Sequence, residues 1–153
     1  MASAVTLADR FSLAAAPERV RAVLADVAGV VACIPGAAVT ANNGDGSYAA
    51  AIGVQYGETG VRIGGTVRVD RPSDDRATVR AEGQDGAGTV RAQGEIRVAL
   101  GQWDGSVTPV DVEADFTFGG VLAPLARSAT RIVGPQLLRS FGRCLASKVA
   151  PAS

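Results

Sequence analysis

Val5, Leu7, Phe11 and Leu13 alternate with polar or small residues, which predicts a first strand. Ala16-Pro17-Glu18 then opens a helix, with proline suited to the first turn and Glu18 near the positive end of the helix dipole. Val20, Val23 and Leu24 recur at i, i+3 and i+4 and give that helix an apolar face as far as about Asp26. A short helical turn through Val30-Val31 leads into Ala32-Cys33-Ile34-Pro35-Gly36. Proline fixes the backbone direction of this corner, glycine permits a tight turn, and Ile34 offers an apolar side chain. Nothing in it moves a proton. The corner reads as the entrance to an apolar cavity.

From about Ala38 to Phe118 the pattern is that of continuous antiparallel sheet. Asn43-Gly44-Asp45-Gly46 is a hairpin turn, followed at period two by Tyr48, Ala50, Ile52, Val54 and Tyr56. Val61, Ile63, Gly65, Val67 and Val69 form the next apolar face, with Arg62, Thr66 and Arg68 opposite. Turns at Pro72–Asp75, Gly83–Gly88 and Asp104-Gly105 separate Ala77–Gly83, Val90–Val98 and Val110–Phe118. Asp111, Glu113 and Asp115 alternate with that last set, as on a solvated face.

Helical period takes over from about Val121 to Lys148. Leu122, Leu125, Ala126, Ala129, Ile132 and Val133 cluster on one side, with Arg127 and Arg131 opposite. Beyond Gly134-Pro135 the apolar set is Leu137, Leu138, Phe141, Cys144 and Leu145. This stripe is rotated by roughly a third of a turn from the first, at about 100° per residue, so a proline kink is expected to realign the two.

Ala50, Gly65, Ala81, Gly83, Ala92, Gly94 and Ala114 make the inward positions of the strands small, and no inward position in these patterns is charged. Small residues around one long helix allow either a close helix approach or a hollow; the hollow is the reading carried forward. Its ligand would be largely apolar, with a polar end near Tyr48, Tyr56 or Thr117.

The chain has 153 residues, enough for one domain over 1–150, with 151–153 as the remnant of a tail. It contains no histidine, which removes Ser-His-Asp and Cys-His catalysis and most zinc sites, and no catalytic or metal-binding residues are assigned. There is no apolar run of about 20 residues and no signal-peptide pattern, so a cytoplasmic setting is expected. Cys33 and Cys144 are then expected as buried free thiols. Charge is unevenly placed: up to Asp115 ten basic residues meet fifteen acidic ones, net −5. From Phe116 onward Arg127, Arg131, Arg139, Arg143 and Lys148 stand without an acid, net +5. A neutral, aromatic-poor chain offers no nucleic-acid stripe.

The order of elements resembles the α+β helix-grip fold of the START-like, SRPBCC superfamily: a curved antiparallel sheet of six to seven strands around a long C-terminal helix. More specifically the chain resembles the family of the carbon monoxide dehydrogenase G subunit (CoxG). The resemblance rests on Phe11-Ser-Leu-Ala-Ala-Ala-Pro-Glu-Arg-Val20 and on Leu24-Ala-Asp-Val-Ala-Gly-Val-Val-Ala-Cys-Ile-Pro-Gly36. Looser matches follow at Ser47–Tyr56, the glycine-rich turn at 83–88 and the terminal helix.

The resemblance implies a non-catalytic partner of a molybdenum hydroxylase of the carbon monoxide dehydrogenase type, recruiting it to the inner face of the membrane. The implied ligand is menaquinone or another isoprenoid quinone, with no covalent cofactor. Family members often carry an apolar or amphipathic tail; this sequence stops at Pro151-Ala152-Ser153, so either a tail is missing or the basic helix alone meets the membrane. The expected pocket is Val54, Tyr56, Val61, Ile63, Val79, Ala81, Val90, Ala92, Phe116 and Phe118 from the sheet, and Leu122, Leu125 and Ala129 from the helix, with Ile34 and Pro35 at the mouth. Arg127, Arg131, Arg139, Arg143 and Trp103 are the candidate membrane or partner contacts. Two other functions stay open: an adaptor that binds nothing small, and a polyketide cyclase-like enzyme, for which the inward face offers few polar groups.

Overall fold

The period-two segments become one antiparallel sheet in a computed structural model that describes residues 3–56 and 59–149, excluding the side chains of Ser3, Val54, Gln55, Tyr56, Thr59 and Val61. The strands are β1 (Ser3–Leu13), β2 (Ala37–Asn42), β3 (Ser47–Tyr56), β4 (Thr59–Ser73), β5 (Arg76–Asp85), β6 (Arg91–Leu100) and β7 (Thr108–Gly119). The helices are α1 (Pro17–Ala25), α2 (Val27–Ala32) and α3 (Ala123–Val149). The seven strands lie in the order β1-β7-β6-β5-β4-β3-β2, so only the β1–β7 pairing joins the two ends of the chain. This is the expected α+β arrangement of a curved sheet with a long C-terminal helix.

Register sorts the two faces. Tyr48, Val67, Ala81, Gly94, Phe116 and Val5 pair successively across the sheet and share its concave side. On the convex side Arg97 meets Glu95 at 3.2 Å, Glu113 at 3.4 Å and Asp115 at 2.6 Å. The Thr6 hydroxyl donates to Asp115 and, with Arg97, holds that carboxyl below its ordinary range. These groups are substantially exposed, so they mark the solvated face more than they stabilise it.

The expectation of an uncharged concave face fails at Asp85, whose register partner is the inward Ile63, and at Asp9. Asp9 pairs with Val112 and therefore takes an inward register between Leu7 and Phe11. Its carboxylate accepts from the Arg10 N–H at 2.9 Å, turning back onto its own backbone.

The helix α3 lies chiefly along β1. A Cβ placed on Gly134 would stand 2.5 Å from Leu7, and one on Gly142 would stand 3.1 Å from Phe11, so both glycines are notches that receive β1 side chains. The spacings agree: four strand residues rise about 13 Å and eight helix residues about 12 Å. α3 runs as one long element of 27 residues, as expected, with Pro135 inside it. Leu13, Val20, Cys33, Val98, Val110, Val112, Phe141, Leu145 and Val149 form the main core at one end; Val5, Val90, Phe118 and Ala123 form a smaller one at the other.

The free thiols expected for Cys33 and Cys144 are instead a disulfide, with Cα atoms 5.4 Å apart across a sequence separation of 111 residues. Sequence distance hid the contact. Cys33 ends α2 and is buried against α3, where the helical stripe delivers Cys144. Closing so long a loop restricts the unfolded chain, and replacing both cysteines by serine is expected to cost about 2–4 kcal/mol in chemical denaturation.

The glycines of the concave face are not all vacancies. The Phe116 ring occupies the space over Gly94, 2.7 Å from where a Cβ would stand. At Gly65 a Cβ would overlap the Glu82 carbonyl oxygen, because β4 and β5 fold sharply together there. Gly65→Ala is therefore expected to destabilise by about 3 kcal/mol or more, read as a fall in melting temperature. Gly64→Ala, which meets nothing within 4 Å, should stay within about 0.5 kcal/mol of the parent.

Candidate functional site

Seven strands about 4.8 Å apart make a concave face about 29 Å wide, while one helix with its side chains spans about 10–12 Å. α3, seated on β1, therefore leaves the β4–β6 part of that face to other cover. The cover is α1, α2 and the corner at Ile34. Its placement follows from the local sequence: the Asp26 carboxylate caps α2 by accepting from Gly29 N–H at 3.2 Å, which turns the chain sharply after α1. The corner itself is locked to β3. Gly36 has φ +82° and a Cβ there would come within 2.5 Å of the Gly53 carbonyl oxygen, while Gly53 N–H donates to Gly36 O at 3.0 Å. Only glycine tolerates both conditions.

Between this cover and the sheet lies an apolar chamber. Leu24, Val27, Val30, Val31 and Ile34 form its roof; Val69, Ala77, Val79, Ile96 and Val98 form its floor; Phe141 of α3 closes the inner end. Its volume in this state is about 30 Å³. The lining carries no titratable side chain, so proton transfer has no agent there. Beside it, between α1 and the β4–β5 turn, lies a polar cleft of about 380 Å³ that shares Leu24, Ala77 and Val98 with the chamber.

Of the residues expected to line a pocket, Ile34 and Val79 meet in this chamber. Ile63, Ala92, Phe116 and Leu122 pack instead around Val5, Val90, Phe118 and Ala123 in the smaller core. Ala81 shares the concave face next to Val67, half-buried, and Ala129 is buried on α3. Pro35 is exposed at the corner and Leu125 is 42% exposed on α3. The side chains of Val54, Tyr56 and Val61 lie outside the described residues. Sequence reasoning missed the roof: Leu24, Val27, Val30 and Val31 read as one face of two short helices, and their period was the available signal.

The candidate contact residues also separate. Arg127 Nε donates to Ala4 O at 3.3 Å and so helps tie α3 to β1. Arg143 donates to the Ser140 hydroxyl at 3.3 Å, and Arg131 and Arg139 are exposed. Trp103 is 39% exposed in the β6–β7 connection. Val121 and Ile132 are 80% and 66% exposed near the start and middle of α3. No helix among the described residues is long and apolar enough to cross a membrane.

Comparison with known proteins bears on fold and family separately. No curated protein matches the chain in sequence. Among solved structures, a conserved protein from Geobacillus kaustophilus superimposes with a TM-score of 0.79 at 16% identity, covering 95% of each chain. The Zhui aromatase/cyclase from Streptomyces sp. R1128 follows at 0.66 and 16%, covering 96% of this chain and 94% of its own. A START superfamily protein from Mycobacterium smegmatis reaches 0.60 at 15%, covering 94% and 96%. At such identities these likenesses establish the helix-grip fold alone. The sequence profile of the carbon monoxide dehydrogenase G subunit (CoxG) matches residues 10–150, nearly the whole chain, and the protein belongs to that family.

Proposed function

We propose that this protein binds an apolar molecule, menaquinone or another isoprenoid quinone, in the chamber beneath α1 and α2. In that role it links an oxidoreductase of the carbon monoxide dehydrogenase type to the membrane quinone pool, from the inner face of the membrane, without catalysing a reaction itself. The observation that carries the reading is a chamber lined wholly by aliphatic and aromatic side chains. Membership of an accessory family supports the non-catalytic role.

The chamber's size sets a condition. About 30 Å³ admits one water-sized sphere, whereas small-molecule sites run to about 300 Å³ or more. Ligand entry therefore requires α1–α2 to lift from β4–β6. The disulfide fixes the far end of α2 to α3, so the movable part is α1 and the start of α2. The bridge also bears on the compartment: a reducing cytoplasm favours the dithiol, and while Cys33 is buried, Cys144 is only half-buried.

A second reading is favoured by Val121, just before α3, and by Leu125 and Ile132 on it, which expose aliphatic surface. Those residues suit an adaptor that docks an oxidoreductase and carries nothing. Native mass spectrometry of freshly purified protein separates the two: an added mass that extracts as an isoprenoid quinone is expected. Val79→Phe, which overfills the chamber floor, should reduce quinone binding at least about tenfold while costing about 1–3 kcal/mol of stability, with a thermal melt establishing that the variant stays folded. Protein that is empty and shows no quinone affinity leaves only the adaptor.

A further inference from the structure

The polar cleft beside the chamber is held by an arginine clasp. Arg21, on α1, donates from Nε to Asp74 O at 3.1 Å and from Nη2 to Asp75 Oδ1 at 2.9 Å. Arg71, on β4, donates from Nη2 to Leu24 O at 3.0 Å, satisfying a carbonyl in the last turn of α1 that the helix itself cannot. These bonds bridge α1 to the β4–β5 turn directly over the shared wall of Leu24, Ala77 and Val98.

Donors remain unused. A guanidinium carries five N–H groups in a fixed fork. Arg71 shows one hydrogen bond among the described residues, and Arg76 shows none and no ion pair. Three arginines and two aspartates line the cleft, Arg21 on α1 and Arg71, Asp74, Asp75 and Arg76 on the β4–β5 side, and Asp75 is already bound to Arg21. The cleft thus offers an excess of hydrogen-bond donors and one net positive charge, immediately beside a chamber that offers neither.

We propose that this cleft is the mouth of the apolar chamber and seats the oxygen-bearing head of an amphiphilic ligand, its carbonyl or carboxylate oxygens accepting from Arg71 and Arg76. The assignment rests on the apolar-ligand reading above and adds to it where the ligand enters, which end stays outside, and what chemistry its head must have. Carbonyl oxygens of a quinone and the carboxylate of a fatty acid both meet the requirement; a bare hydrocarbon does not. Arg71 and Arg76 are exposed, so entry exchanges the Arg71–Leu24 bond for a bond to ligand, and water takes up the freed Leu24 carbonyl.

The test measures binding of three probes to the intact chain: a naphthoquinone with a short prenyl tail, a fatty acid of matched length, and a prenyl hydrocarbon without a head. Arg76→Gln, which leaves the clasp intact, and the Arg71→Gln/Arg76→Gln pair are compared with the parent after thermal melts establish folding. The expected result is a loss of about tenfold or more for one or both headed probes, larger for the pair, with hydrocarbon binding unchanged. A preferential loss for the fatty acid identifies a carboxylate head; one for the naphthoquinone identifies a carbonyl head. Unchanged affinity for both headed probes, or an equal loss for the hydrocarbon, overturns the mouth assignment while leaving the chamber reading standing. A parent protein that binds none of the three overturns both.

Discussion

Gly134 and Gly142 of α3 receive Leu7 and Phe11 of β1, and this seating decides where the 27-residue helix can lie. β1 is an edge strand joined to the sheet only through β7, so a helix fixed on β1 sits at one side of the concave face. The middle of that face then needs a second cover. The two short helices supply it, and the chamber forms where their apolar faces meet β4, β5 and β6.

The arrangement holds the cover unequally. Toward its end, Cys33 is covalently joined to α3 and Gly36 is hydrogen-bonded to β3. Toward its start, α1 buries Val20 in the main core, donates from Arg19 to the Lys148 carbonyl of α3 at 3.1 Å, and meets the β4–β5 turn only through the exposed bonds of Arg21 and Arg71. Exposed ion pairs and hydrogen bonds are worth about 1 kcal/mol each, whereas a disulfide is worth several. The cover is therefore fixed covalently at the end of α2 and held least firmly where α1 meets the β4–β5 turn. A cavity closed to about 30 Å³ is compatible with ligand binding only in a structure with such a weak side, and the weak side is where the polar cleft lies.

Much of this was legible in the chain, for identifiable reasons. The strands were readable because β4 to β7 set aliphatic residues against charged ones such as Arg68, Arg80 and Arg97, and most of the turns carry glycine. The proline-led start of α1 and the tight corner at Gly36 were equally local. The pocket was less readable because it depends on which elements cover which part of the sheet. Gly94 looks like an opening in the sequence and is filled by Phe116, distant along the chain but its partner in register on the next strand. Asp9 escaped notice because its neighbours Leu7 and Phe11 dominate the alternation. The bridge between Cys33 and Cys144 could not be read from spacing, since it is made by tertiary packing of α2 on α3.

The central claim is that α1 and α2 form a movable roof over an apolar ligand. A crystal structure of the protein with a prenylated naphthoquinone bound tests it most directly. The predicted result is an apolar body between Ile34, Val79, Ile96 and Phe141, with α1 displaced from the β4–β5 turn and the Cys33–Cys144 region in place. Ligand found only on the exposed surface of α3, with the chamber still closed, would contradict it.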